Sequence, residues 1–254
     1  MAPFTRLIER LVPERASPFT KTLDPASLRS PMVAVEAVRR TIERALETLC
    51  VATASALDKA AEGKTVRPSI DEATLAQASD GVRQAGAFLS KSDPPPSDEG
   101  HAWFTSTVHA LDHASRLADA VAAMAKTGLA TDGKEEGKAA ALCARAMRGA
   151  AGAAASLGVS AGPGHAADDE LATKIEGADN SGTPDLERAA KALADLRGTH
   201  RQATLDMVAS GKLSASQAMA RVDAVALMSR LAHHAWRAVA HLERAAVARL
   251  EPEQ

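Results

Sequence analysis

Aromatic side chains are nearly missing: they make up 2% of the 254 residues, and there is no tyrosine at all. A β-sandwich or barrel needs aromatic and β-branched residues to cover its pleated faces, so this scarcity excludes a predominantly β fold. Cysteine is scarce as well. Cys50 and Cys143 stand far apart in the sequence and in no metal-ligand spacing, which argues against a disulfide scaffold and fits a reducing cytoplasm. No basic run occurs, and 30 Lys and Arg against 32 Asp and Glu leave a net charge of -2. Nucleic-acid binding rests mostly on phosphate neutralisation and is excluded on that ground. A long apolar run is lacking too. The longest stretch without Asp, Glu, Lys or Arg, 149–167, is built of Gly, Ala and Ser around Pro163, and such small residues supply too little transfer energy for a membrane span.

What is present points one way. The hydrophobic share is 46%, carried mainly by alanine, leucine and valine, and alanine and leucine lose little side-chain entropy in a helix. Charged residues at 24% beside so many apolar ones exclude disorder of the whole chain. An all-α protein is expected.

Caps and breakers divide the chain. Phe4, Leu7, Ile8, Leu11 and Val12 share one helical face before Pro13 and Pro18 end the segment. Asp24-Pro25 and Ser30-Pro31 are helix-start pairs, and a first long helix is expected over about 31–60. Ser69-Ile-Asp-Glu72 reads as a capping box opening a second helix to about 91. Pro94-Pro95-Pro96 then breaks the chain before a third helix over about 97–126. The glycine-containing stretch 127–137 separates two halves. A fourth helix follows over about 138–157, then a long loop over 158–183 with a helical stretch around 168–175. Pro184 opens a fifth helix ending at Gly211, and the capping box Ser214-Ala-Ser-Gln217 opens a sixth that runs to about 250.

Six helices fall into three plus three. Ala114-Ser-Arg-Leu-Ala-Asp119 in the third helix is echoed by Met228-Ser-Arg-Leu-Ala-His233 in the sixth, which points to duplication. On a helical wheel, Phe104, Val108, Leu111, Ala118 and Ala122 define an apolar arc that includes Ser115, with Asp119 at its edge. In the sixth helix Ser229 falls among Val222, Val225 and Trp236, with His233 at the edge. Arg116 and Arg230 project to the polar side.

These residues carry a resemblance. Leu23-Asp-Pro-Ala-Ser-Leu-Arg-Ser-Pro31, Ala110-Leu-Asp-His-Ala-Ser-Arg-Leu-Ala-Asp119, His200-Arg-Gln-Ala-Thr-Leu205, Gly211-Lys-Leu-Ser214, Arg221-Val-Asp-Ala224 and Trp236-Arg-Ala-Val-Ala-His-Leu242, in this order and spacing, resemble the PhoU-like helical domain. The resemblance is specifically to the version fused to the cytoplasmic end of bacterial sodium/phosphate cotransporters. The resemblance implies two antiparallel three-helix bundles related by a pseudo-repeat, with halves over about 23–127 and 138–250 of a domain spanning 23–254. It also implies an amphipathic, juxtamembrane-like leader over 1–22. The family's better-known members bind metal clusters through Glu/Asp-x-x-x-Asp on the third helix of each half. Here those positions read Ser115-x-x-x-Asp119 and Ser229-x-x-x-His233. Without the leading carboxylates, Ser115, Arg116, Asp119, Ser229, Arg230 and His233 are expected to form a degenerate motif and interaction surface, holding no metal and no cofactor. The implied function is that of an accessory or regulatory cytoplasmic domain of a sodium-dependent phosphate transporter, without catalysis, at the inner face of the cell membrane. Its partner would be the membrane-embedded part of the transporter, in cis or as a separate chain, or a second copy in a homodimer. A free-standing regulator docking on a phosphate transporter or sensor kinase, and a small metal-binding helical protein, are the alternatives.

Two further patterns have a functional and a bland reading. His109-x-x-x-His113 sets two imidazoles one turn apart, a spacing that can share a zinc ion, but no third ligand is in the motif. The wheel puts the pair opposite the apolar arc, so a solvated face is expected. His233, His234, Arg237 and His241 form a basic stripe on the sixth helix, read as a polar face with a pH-responsive contact as the alternative. Trp103 and Trp236 are expected in the core. No Glu-x-x-His pair and no Gly-Lys-Ser phosphate loop occurs.

Overall fold

The computed structural model describes residues 18–61, 70–160 and 183–247. A short 3-10 helix, Pro25–Arg29, leads into α1 (Pro31–Ala61), α2 (Glu72–Leu89), α3 (Asp98–Thr127), α4 (Lys134–Ser160), α5 (Thr183–Ala209) and α6 (Ala215–Val247). No strand occurs among the described residues, so the fold is all-α with six main helices. The amphipathic segment around Phe4–Val12 and the helical stretch around 168–175 lie outside the described residues.

Local chemistry accounts for most of the boundaries. Asp24 accepts a bond from the Ala26 amide at 2.9 Å, and the Ser30 carbonyl accepts from Ala34 as α1 begins. The cap of α2 is Asp71, not the serine of the expected box; Ser69 lies outside the described residues. The Asp71 carboxylate accepts from the Ala73 and Thr74 amides, each at 3.2 Å, and from the Thr74 hydroxyl. A charged acceptor suits the positive end of the helix dipole, and the Thr74 hydroxyl bond leads the interactions that hold this carboxyl below its usual pKa. Ser97 caps α3 through the Gly100 amide at 3.0 Å, and Gly128, with φ of 73°, ends it in a conformation that favours glycine. Before α6, Gly211 adopts φ of 71°, and the Ser214–Gln217 box forms with reciprocal bonds of 3.2 and 3.1 Å.

α4 starts four residues earlier than expected, at Lys134. Glu135 and Glu136 favour the first turn of a helix, and Glu136 is buried and bound by His200 of α5, so Gly137 becomes helix interior rather than linker.

The helices pack in a repeated pattern. α1, α2 and α3 pack on one another, as do α4, α5 and α6. The halves meet first helix on first, α1 against α4, and third on third, α3 against α6. One core runs through both halves, with Ile42, Leu46, Leu117, Met147, Leu193 and Leu231 fully buried. On α4, Ala139, Ala140, Ala144, Ala150 and Ala154 are buried; such small side chains let helices approach closely, and this is where the alanine-rich composition is used. Cys50 and Cys143 are free, buried thiols of α1 and α4. Burial pushes Cys50 up to about 12 and Cys143 up as well, and the Cys143 thiol donates to the Met228 carbonyl at 3.4 Å.

The expected apolar arc of α3 is corrected. Its buried face includes Trp103, Thr107, Ala110, Ala114, Leu117, Val121 and Met124, and of the expected arc Ala118 is buried as well. Val108 and Ala122 are exposed, Phe104 and Leu111 half-buried. The wheel favoured bulky side chains, whereas the true stripe relies on alanine and on Thr107, whose hydroxyl donates to the Trp103 carbonyl at 2.9 Å and so enters the core satisfied. Trp103 is a core residue, as expected; Trp236 is half-buried against the core.

Candidate functional site

The corrected stripe relocates the motif positions. Ser115, Arg116 and Asp119 are exposed on α3, so Ser115 does not sit in a helix interface. On α6 Ser229 is buried, with 5% of its surface exposed, while Arg230 and His233 are exposed. Arg116 pairs with Asp112 one turn back, Nε to Oδ2 at 2.9 Å. The six positions therefore do not form one surface of uniform character: Ser229 belongs to the core and the others to the outside.

The same rotation turns the histidines inward. α3 and α6 run antiparallel where they meet, because His109 lies against His241 and His113 against His234. The His109 and His241 rings stack with centroids 5.0 Å apart. The Nδ1 atoms of His113 and His234 are 3.1 Å apart, one donating and one accepting. His113 also lies 5.9 Å edge-on from His233 and 5.8 Å from His241, ring centre to ring centre. His113 and His234 are half-buried and His241 is buried. The expectation of a solvated polar face thus fails for these three and holds for His109 and His233, which are exposed.

Five imidazoles meet here without a carboxylate bound to any ring nitrogen among the described residues. Burial, then the neighbouring His234, pushes His113 down to about 4. Burial, then His233 and Arg116, does the same to His234. Burial and Arg237 push His241 down to about 4, and Arg237 donates to His241 Nε2 at 3.2 Å. His233 is lowered by the same two causes. At neutral pH His113, His234 and His241 are therefore uncharged. The Arg237 guanidinium also lies 5.4 Å from the Trp236 ring centre, and His233 lies edge-on to that ring at 5.8 Å.

His113, His233 and His234 each offer one ring nitrogen, and the three nitrogens lie within 4.8 Å of one another. Among the described residues this is the one group of three ligating side chains that converges in this way. The i,i+4 pair His109 and His113, which the spacing favours, contributes only His113.

Two buried polar clusters carried no signal in the sequence. His200 Nε2 and Glu136 Oε1 are 2.8 Å apart in the second half, with Arg221 Nε 3.7 Å from the same oxygen and Arg221 Nη2 bound to Asp132 at 2.9 Å. In the first half Arg39 and Glu43 are buried on α1; Arg39 Nη2 donates to the Leu242 carbonyl at 2.9 Å and lies 3.7 Å from Glu43 Oε1. Burial raises Glu43 to about 7 against the pull of Arg39.

No helix among the described residues is long and apolar enough to cross a membrane. In comparisons with known proteins, no family model matches the chain, and neither a curated protein nor a solved structure proves similar to it.

Proposed function

We propose that this chain is an accessory module of a sodium-dependent phosphate transporter, acting without catalysis of its own at the inner face of the cell membrane. The observation that supports the reading is the pairing of helices. Two triplets pack first on first and third on third, the kind of duplicated arrangement that the resemblance to PhoU-like domains implies. The reading gains from the third helices, whose outward faces carry Ser115, Arg116, Asp119, Arg230 and His233 of the expected interaction surface, all exposed and able to touch a partner. The partner is the membrane-embedded part of the transporter, in cis or as a separate chain.

Sodium-dependent uptake of labelled phosphate tests it. Deleting the coding segment should change uptake, and restoring it should reverse the change. Uptake equal to that of the parent strain at both low and high phosphate would sink the proposal. The alternative of a free-standing regulator is decided by the DNA upstream of Met1, where an in-frame membrane-spanning region selects the fused arrangement.

A further inference from the structure

The geometry points to a divalent transition-metal site of the zinc class at the α3–α6 seam, with His113, His233 and His234 as ligands. This inference is independent of the transport reading and differs from the metal motif that the resemblance implies, since it uses imidazoles from both halves rather than carboxylates within each.

The distances suit a metal ion. Zinc–nitrogen bonds of about 2.0–2.1 Å at tetrahedral angles put two ligand nitrogens about 3.4 Å apart. The Nδ1 atoms of His113 and His234 stand 3.1 Å apart, and the nitrogen of His233 lies within 4.8 Å of both. A rotamer adjustment of the exposed His233 closes the third side.

Three imidazole nitrogen donors suit zinc, nickel, cobalt or copper and not magnesium or calcium, which take oxygen ligands. The nearby guanidiniums oppose a cation less than their number suggests. Arg116 is neutralised by Asp112, and Arg237 is turned onto His241 and the Trp236 ring. With His233 exposed, the fourth position is open to water or an anion.

Packing does not require these histidines. The echo that aligns Ser115 with Ser229 also aligns His113 with Leu227 and His234 with Ala120. Leu227 and Ala120 are both buried and apolar. The repeated framework is therefore filled by ordinary side chains at the equivalent positions, and the imidazoles are an addition on one side only.

Calorimetric titration with zinc of chelator-stripped full-length protein, its affinity tag removed, tests the site. One equivalent should bind saturably, and cobalt(II) in place of zinc should show the visible d–d bands of a nitrogen-ligated ion. His113→Ala, His234→Ala and His233→Ala should each weaken zinc binding at least about tenfold, whereas His101→Ala, on the exposed start of α3, should leave it unchanged. Should a half-buried histidine variant lose its fold, as read by helical circular dichroism without metal, the exposed His233 still carries the test. Absence of saturable zinc and cobalt binding to the wild type, or binding unaffected by His233→Ala, would overturn the inference.

Discussion

The two places where histidine leaves the solvent are built on opposite principles. At the α4–α5 contact, His200 meets the buried Glu136 at 2.8 Å, and Arg221 stands behind the same carboxylate. At the α3–α6 seam, His113 and His234 bond to each other and lie among further imidazoles, with no carboxylate bonded to either ring among the described residues. A histidine given a carboxylate satisfies a buried charge and fixes the helices that bring the two together. Histidines given one another are held neutral, and their nitrogens stay available to something not in the chain. The first arrangement spends histidine on the fold and the second leaves it over for binding.

Removing the fixed partner should have the largest effect. His200→Ala leaves Glu136, 3% exposed, with only the more distant Arg221. Breaking a buried charged hydrogen bond of this kind costs on the order of 3–4 kcal/mol, which a shift of the urea midpoint would register. Glu136→Gln in the same background should recover part of the loss, because an amide is cheaper to bury than a carboxylate; no recovery would show that the charge is not what His200 serves.

Glu43 extends the comparison to a buried carboxylate without a histidine. Its companion Arg39 is 3.7 Å away, and burial outweighs it, raising the pKa from 4.5 to about 7. The folded state therefore holds this proton more tightly than the unfolded chain. Its contribution to stability is complete below pH 4.5 and is lost as pH rises through 7, a change of about 3 kcal/mol. The seam histidines, lowered to about 4, act in the opposite sense as pH falls below 6.5, so the difference between wild type and Glu43→Gln isolates the carboxylate. That difference should shrink by about 3 kcal/mol between pH 8 and pH 4; a pH-independent difference would mean that folding leaves the Glu43 pKa unshifted.

What the sequence disclosed was local. Asp24-Pro25, Ser30-Pro31, Ser97 and the Ser214–Gln217 box each act within four residues, and the helices they start were legible for that reason. The seam was not, because His113 and His234 lie on helices of different halves and meet only when those halves dock. The wheel hid them further by assigning the buried face of α3 to Phe104 and Val108 instead of Ala110 and Ala114. Periodicity weighs side-chain hydrophobicity, but in an alanine-rich bundle close approach of the backbones decides which face is buried. Glu136 and His200 were illegible on the same ground: each looks locally like a surface residue of a helix.

The corrected rotation makes a prediction that the echo alone would get wrong. By sequence, Ser115 and Ser229 are equivalent; by position, the first is exposed and the second buried. Ser229→Glu drives a carboxylate into the core and should cost about 2 kcal/mol or more, while Ser115→Glu should stay within about 0.5 kcal/mol. Equal losses in thermal melts would restore the symmetric picture of two matched patches.

The smallest effect belongs to His233, and its smallness is informative. It is exposed, and it touches His113, His234 and Trp236 only by ring edges. Truncation to alanine leaves no buried polar atom unpaired and opens no cavity, so metal-free stability should change by less than about 0.5 kcal/mol. In saturating zinc the result should separate: the wild type gains stability by mass action and His233→Ala gains less. His200→Ala, by contrast, should lose the same amount with and without zinc, since its partners lie in the second half and not at the seam. A His233→Ala protein that melts well below the wild type in chelator would place this residue with His200, as part of the fold, and erase the distinction between the two kinds of histidine.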